Sequence, residues 1–450
     1  MMGSALSRWS MAYFAAALFF LVVAQALMTA GYGFPTVAAE APESLVIVHM
    51  ITIGWLSLLM VGALFQFVPV LVAQPLCHDH LALPSLIFLL VGLFCLLAGF
   101  LELSGAIDTG LPFLVLGGLL LPAGFALAIW MLAATLWSLR PSSLPLPSRF
   151  VAGGLACIAS TAALGASFAF ALSGEIPEWA VIDVRPLALP IHVAVGLGGW
   201  LSFTAIGVSY RLLPMFMLSP DGERMTGHIV WWSGATALLL LALAALWGGP
   251  SRGDTLTIGL AALLGLFAIA FYGIDLVFLY RNRKRRAIEL NSRSAIGAFA
   301  SLYLSALLLL TLLATGTLAQ HVGALVYLVA FGWLTGLGLS QLYKIVPFLT
   351  WLECYGPVMG RKPTPRVQDL VVDSRARWWF ALYFAGVLAG TGTLLVQAPV
   401  QFRIAAAVTL MATAAIVVEL VLARRLINVA AALRLPEGTS RPRLFLPSRR

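Results

Sequence analysis

The sequence predicts an all-α membrane protein of twelve transmembrane helices, arranged as three four-helix modules related by a pseudo-threefold repeat. Three observations lead there. Of the 450 residues, 61% are hydrophobic and only 10% are charged. Apolar runs of about 20 residues, enough to cross a bilayer core of roughly 30 Å, recur along the whole chain. A Gly-Trp signature returns three times at nearly even intervals. The net charge of +9 does not point to nucleic acid, because the basic residues fall in a few short segments between apolar runs, as the positive-inside rule requires. The partner implied by composition is the lipid bilayer. The four cysteines, Cys77, Cys95, Cys157 and Cys354, are expected to be free thiols, two inside apolar runs and two on the cytoplasmic side.

Apolar runs broken by Pro, Gly and charge place the helices at about 11–31, 45–73, 82–104, 111–138, 150–174, 188–217, 228–248, 255–280, 295–316, 321–351, 377–397 and 403–424. The first follows Arg8 and precedes "TVAAEA", like a signal peptide, but its apolar core is too long and it is read as a span. The fourth and fifth are separated by Arg140 and Arg149, and the eighth ends in "RNRKRR", Arg281 to Arg286. A basic segment from Arg361 to Arg377 follows the tenth, and an arginine-rich tail begins at Arg424. With the N-terminus inside, only Arg185, Arg252 and Arg403 of the 27 basic residues face out. The expected location is a bacterial inner membrane with both termini cytoplasmic. The chain reads as one membrane domain, 1–450, with repeats at about 1–140, 141–290 and 291–430 and a basic cytoplasmic tail at 431–450.

The repeat is carried by Gly54-Trp55-Leu56-Ser57, Gly199-Trp200-Leu201-Ser202 and Gly332-Trp333-Leu334-Thr335 on helices 2, 6 and 10. Fourteen residues after each Trp stands a proline: Pro69, Pro214 and Pro347. Ten after it comes an aromatic residue (Phe65, Tyr210, Tyr343), followed by a polar one (Gln66, Arg211, Lys344). Seven after it is a small residue: Gly62, Gly207 or Ser340. Helix packing accounts for most of these positions, since small residues let helices approach in lipid, Trp fills space and Pro marks the inner interface. Packing alone does not explain why the pattern is threefold.

Twelve helices in three modules, with helices 2, 6 and 10 equivalent, resemble subunit I of the heme-copper oxidases over nearly the whole chain. The resemblance is strongest to the C-type oxidases and nitric oxide reductases, in which a His stands six residues before the Trp and twenty before the Pro. His49 holds that register against Trp55 and Pro69. The resemblance therefore implies that His49 is an axial ligand of a low-spin heme near the outer face. The chain departs from the family elsewhere. Leu325 and Tyr327 occupy the paired-histidine positions of helix 10, and Ala194 occupies the copper-ligand position of helix 6, with His192 two residues away. The His-His pair that ends helix 7 in the family is replaced by Ser251 and Arg252, while His228 lies at the other end of that helix. An ordinary oxygen-reducing heme and copper centre is not supported, so heme b is the cofactor to consider and copper is doubtful.

Counting back from each Trp at the α-helical rise puts His49, His192 and His321 about 9, 12 and 18 Å above it. Ionisable groups at such depths face a bundle interior or a wet cavity. Two readings stay open: axial heme or metal ligands, with Tyr327 as a phenolate alternative, or polar residues bonded to backbone and water. The loop after helix 2 carries Cys77-His78-Asp79-His80, a thiolate and two imidazoles suited to copper or zinc, or an incidental loop sequence. Asp275 and Glu419, inside helices 8 and 12, are expected to snorkel against Arg281 and Arg424, or to carry protons.

Three functions follow as expectations. The first is a divergent heme-binding member of the superfamily, linked to respiratory electron transfer or nitric oxide chemistry and partnered by respiratory subunits or a cytochrome c. The second is a relative that has lost its metals and serves as an assembly factor, sensor or accessory subunit. The third is transport of a small solute or metal, suggested by the intramembrane carboxylates and by Met215 and Met217.

Overall fold

The computed structural model describes residues 9–138, 144–177, 188–220, 223–247 and 252–443. Arg140, Arg185 and Ser251 lie outside them, and so does the side chain of Arg252. Among the described residues the secondary structure is entirely helical, and twelve helices are long and apolar enough to cross a membrane. They are α1 (Ser10–Ala30), α2 (Pro42–Val72), α3 (Asp79–Leu103), α4 (Phe113–Trp137), α5 (Leu146–Leu172), α6 (Ala188–Met217), α7 (Met225–Ala244), α8 (Leu256–Arg281), α9 (Leu290–Thr315), α10 (Leu318–Val358), α11 (Asp373–Leu395) and α12 (Pro399–Arg424). Each expected helix is present, with ends displaced by a few residues.

Local chemistry sets the boundaries. Gly31 and Gly316, both left-handed, close α1 and α9, and the residue after each donates back to the carbonyl of Leu27 or Leu312, which satisfies the last orphan acceptors. Pro42 and Pro399 open α2 and α12, where the missing N–H costs nothing.

The three signature helices share a feature that periodicity did not reveal. Each changes from α to π geometry across the signature, at Met50–Ser57, Ala194–Phe203 and Leu328–Thr335. A π stretch accommodates an extra residue in a wider, shorter turn. The rise from Trp55 to His49 is therefore less than the α-helical value gives. These helices are also the most buried of the twelve, at 67% for α10, 61% for α2 and 56% for α6, against at most 44% for any other. Trp55, Trp200 and Trp333 are all enclosed, so they are core residues and not interfacial anchors.

The chain divides into two compact units, 1–63 with 288–450 and 64–287, and α2 runs through the boundary as one helix. In the first unit α1 packs on the π stretch of α2 and on α12, α9 packs on α10, and α11 pairs with α12. In the second unit α3 pairs with α4, α4 with α5, α5 with α6 and α7 with α8. The small residue seven after the Trp sits at a close crossing in both. A Cβ on Gly62 would lie 2.7 Å from Tyr13 Cβ of α1, and one on Gly207 would lie 2.1 Å from Phe150 Cβ of α5.

The arginine-rich tail is folded as far as it is described. After α12 the chain turns back over the segment following α10: Tyr355 Oη donates to the Arg434 carbonyl at 2.6 Å and Asn428 Nδ2 to the Leu370 carbonyl at 3.0 Å. Beneath these bonds Cys354, Tyr355, Leu370, Ala423, Leu426 and Val429 form a buried cluster.

Candidate functional site

The histidine and tyrosine candidates of α2, α6 and α10 divide between the units. His49 and Tyr327 belong to the first, as does His321, while His192 belongs to the second. His49, half-buried, stands one residue before its π stretch, and its Nδ1 is 2.8 Å from the Leu45 carbonyl one turn earlier. With Nδ1 carrying the proton, Nε2 carries the lone pair, the tautomer found when imidazole binds a metal. Tyr327 is directed elsewhere. It is 1% exposed, its ring packs edge-on to Phe402 of α12 at 5.3 Å, and a Cβ on Gly390 of α11 would lie 2.9 Å from its hydroxyl. That oxygen is used in packing α10 against α11 and α12. His192 rests against α5, edge-on to Phe168 at 5.6 Å, and half-buried His321 has no partner at Nδ1 among the described residues.

The interface between α2 and α10 is closed at the signature. Trp55 Nε1 donates to Thr335 Oγ1 at 2.8 Å, and a Cβ on Gly338 would lie 3.3 Å from the Trp55 ring. His49 is the one imidazole in register with the axial position of the proteins the sequence resembles, and Leu325 and Tyr327 stand where those proteins carry paired histidines, so the residues present do not supply a bis-imidazole site. Two buried amides in the same unit, Gln25 of α1 and Asn291 of α9, are each 2% exposed, and neither side-chain atom of either is hydrogen-bonded among the described residues.

The loop Cys77-His78-Asp79-His80 lies in the second unit. His78, left-handed at φ 54°, stacks on Trp130 of α4 with ring centroids 6.1 Å apart, and the Cys77 amide donates to Thr135 Oγ1 at 3.0 Å. Among the described residues no three His, Cys, Asp or Glu side chains gather to hold a metal ion. Met215 is exposed and Met217 buried, so the two do not share a face.

The densest polar chemistry is at the opposite helix ends, where α5, α7, α9 and α11 begin. In the second unit Asp275 of α8 is 1% exposed and accepts three hydrogen bonds: Tyr210 Oη at 2.8 Å, Arg224 Nη1 at 2.5 Å and Thr226 Oγ1 at 2.5 Å. The Arg224 guanidinium also lies 3.9 Å from the centre of the Phe278 ring. Beside Asp275, Tyr272 Oη and Ser209 Oγ are 2.6 Å apart. These groups border a cavity of about 350 Å³ lined by Tyr210, Arg211, Glu223, Arg224, Asp275 and Pro145 among others. Glu223 accepts the Leu146 amide at 2.6 Å, capping the positive end of α5, and stands 3.4 Å from His228 Nε2.

The first unit repeats this construction. Glu419 of α12, 3% exposed, is gripped by Nε and Nη2 of Arg375 at the start of α11. Lys344 Nζ pairs with Glu289 at 2.6 Å, and Tyr343 interacts with Asp373 and Glu419. Arg424 donates to Glu353 at 2.8 Å and Thr350 at 3.1 Å.

These partners correct the sequence reading, which set Asp275 against Arg281 and Glu419 against Arg424. At about 100° per residue, positions five or six apart point to different faces of a helix. Asp275 is satisfied instead by Arg224, Thr226 of α7 and Tyr210 of α6, and Glu419 by Arg375 of α11. Arg224 and Arg375, just before and just inside α7 and α11, were missed. The signal that could have found them is an arginine within three residues of the start of α7 and of α11.

No protein-family model and no curated protein matches the chain.

Proposed function

We propose that this chain is a divergent relative of heme-copper oxidase subunit I, built as three four-helix modules in a bacterial inner membrane with both termini cytoplasmic. Support for that scaffold comes from the π stretch that recurs in register with Gly-Trp-Leu-Ser/Thr on α2, α6 and α10. On it we put first a single heme b held by His49, without a copper centre, serving respiratory electron transfer or nitric oxide chemistry beside other respiratory subunits or a cytochrome c. The observation carrying this reading is the Leu45 carbonyl at His49 Nδ1, which selects the tautomer with its lone pair on Nε2 at the residue that holds the resembled family's axial register. Heme bound there supplies an iron centre with one protein ligand; His49 orients it, and Tyr327 takes no part.

A second reading, a relative without metals acting as an assembly factor, sensor or accessory subunit, is favoured by the Trp55–Thr335 contact that closes α2 against α10. One experiment separates them: an absorption spectrum, a pyridine hemochrome assay and iron and copper analysis of the purified protein. A Soret band that His49→Ala abolishes, with iron and no copper, supports the first reading. Colourless protein free of both metals, from cells supplied with heme, selects the second.

A further inference from the structure

The basic segment after α8, Arg281 to Arg286, is held in place by its own backbone. The amides of Lys284 and Arg285 donate to the carbonyls of Leu218 and Met217 at the end of α6, at 3.2 and 3.3 Å. Two of its guanidinium groups do similar work: Arg283 Nη1 donates to the Tyr280 carbonyl at 2.5 Å and Arg285 Nη1 to the Phe216 carbonyl at 3.2 Å, each satisfying an acceptor left over at a helix end. The other three cations have no such duty. The side chains of Arg281, Lys284 and Arg286 are exposed and make no hydrogen bond or ion pair among the described residues. The basic segment after α10 is built differently, since Lys362, Arg366 and Arg375 each meet a carboxylate, Glu437, Asp369 and Glu419.

The place of these cations on α8 identifies what they meet. Leu256, Leu260, Leu263, Phe267, Ile274 and Val277 are all exposed and follow one another at spacings of three, four or seven, so they form one stripe along the helix. Arg281 stands four residues beyond Val277 on the same face, about 6 Å further along the axis. Leu218, whose carbonyl receives the Lys284 amide, is exposed as well. Acyl chains cover such a stripe on a helix that crosses a membrane, and the charges begin one turn after it ends. That is the depth of lipid phosphates, which guanidinium groups take through paired N–H donors.

We propose that the stripe of α8 together with Arg281, Lys284 and Arg286 binds an anionic phospholipid, its acyl chains along Leu263 to Val277 and its phosphate against the three cations. Phosphatidylethanolamine and phosphatidylcholine carry an ammonium beside the phosphate, which offsets the attraction. Phosphatidylglycerol carries none, so the site discriminates by headgroup charge. This inference goes beyond the heme reading and does not depend on it.

The test is lipid retention by native mass spectrometry for delipidated full-length protein returned to micelles containing phosphatidylglycerol, phosphatidylethanolamine or both. Phosphatidylglycerol is expected to be retained in preference, less so as salt is raised. Each of Arg281→Gln, Lys284→Gln and Arg286→Gln should weaken its binding roughly fivefold, and the triple variant should lose the preference. These side chains have no partner within the described protein, so the melting temperature without lipid should stay that of the unaltered chain. Lys362→Gln, whose cation already pairs with Glu437, should leave the preference intact. Equal retention of the two lipids by the unaltered protein, or a preference that survives the triple change, overturns the proposal. So does displacement of the lipid by an equal concentration of soluble sn-glycerol 1-phosphate, which would assign the cations to a free anion.

Discussion

Trp55 and Thr335 join the first and third copies of the signature through a single buried hydrogen bond, indole Nε1 to hydroxyl Oγ1 at 2.8 Å. The bond links the two most buried helices of the protein at their π stretches. Its partners lie at adjoining signature positions, the Trp of one copy and the Ser/Thr that follows Trp-Leu in the other.

Thr335→Val keeps the shape and removes the acceptor, stranding an indole N–H in a dry interior. We expect a loss of about 1–3 kcal/mol in unfolding free energy, measured by denaturant titration in detergent. Trp55→Phe in the Thr335→Val background should cost less than the two single changes added together, because no donor is then left unpaired.

Gly207→Ala places a methyl group against Phe150, where a Cβ would lie 2.1 Å from the Phe Cβ. A loss of about 1–3 kcal/mol is expected from overpacking. Gly265→Ala in α8 has nothing within 4 Å. It should raise the melting temperature slightly, since Ala favours helix by roughly 1 kcal/mol. Equal behaviour of the two variants would refute the close crossing of α5 and α6.

Arg375→Gln leaves Glu419 buried without its counter-charge. Its carboxylate is 3% exposed, whereas the arginine is 44% exposed. The expected loss is below the roughly 3–5 kcal/mol of a fully buried pair, because solvent screens the outer part of the guanidinium. The double variant Arg375→Gln, Glu419→Gln should recover much of that loss in thermal denaturation. Arg224→Gln and Asp275→Asn should behave in the same way.

Two carboxylates near the folded tail make its docking pH-dependent. Lys362 donates to Glu437 at 2.8 Å and holds its carboxyl below the ordinary range. For Asp369 partial burial would raise the value, but bonds from the Arg366 backbone and guanidinium bring it below normal. A carboxylate with a depressed folded value contributes stability above its unfolded pKa and loses it as pH falls through the folded one. Protease cleavage within 425–443 should therefore be slow at neutral pH and accelerate below about pH 4. Glu437→Gln should weaken that dependence.

All twelve helices were legible because each is an uninterrupted apolar run, and hydropathy needs no tertiary information. The repeat was legible because Trp, Pro and Gly are too distinctive to recur in register by accident. The partners of Asp275 and Glu419 were not, since Arg224 and Arg375 come from a neighbouring helix and spacing within one helix carries no trace of them. The orientation of Tyr327 was hidden for a related reason. Its spacing from Trp333 suggests a ligand position only through the resemblance, and Gly390 and Phe402, which receive it, lie more than sixty residues later.

The π stretches have a consequence for how this sequence can change over time. One additional residue within a helix turns everything beyond it by about 100°, so the halves of α2, α6 and α10 before and after the π stretch are out of phase with each other. A substitution that reshapes the face before the π stretch leaves the face after it in its own alignment, and the reverse also holds. The two ends of each helix are thus free to change separately, one around His49, His192 or His321 and the other around Phe65-Gln66, Tyr210-Arg211 or Tyr343-Lys344.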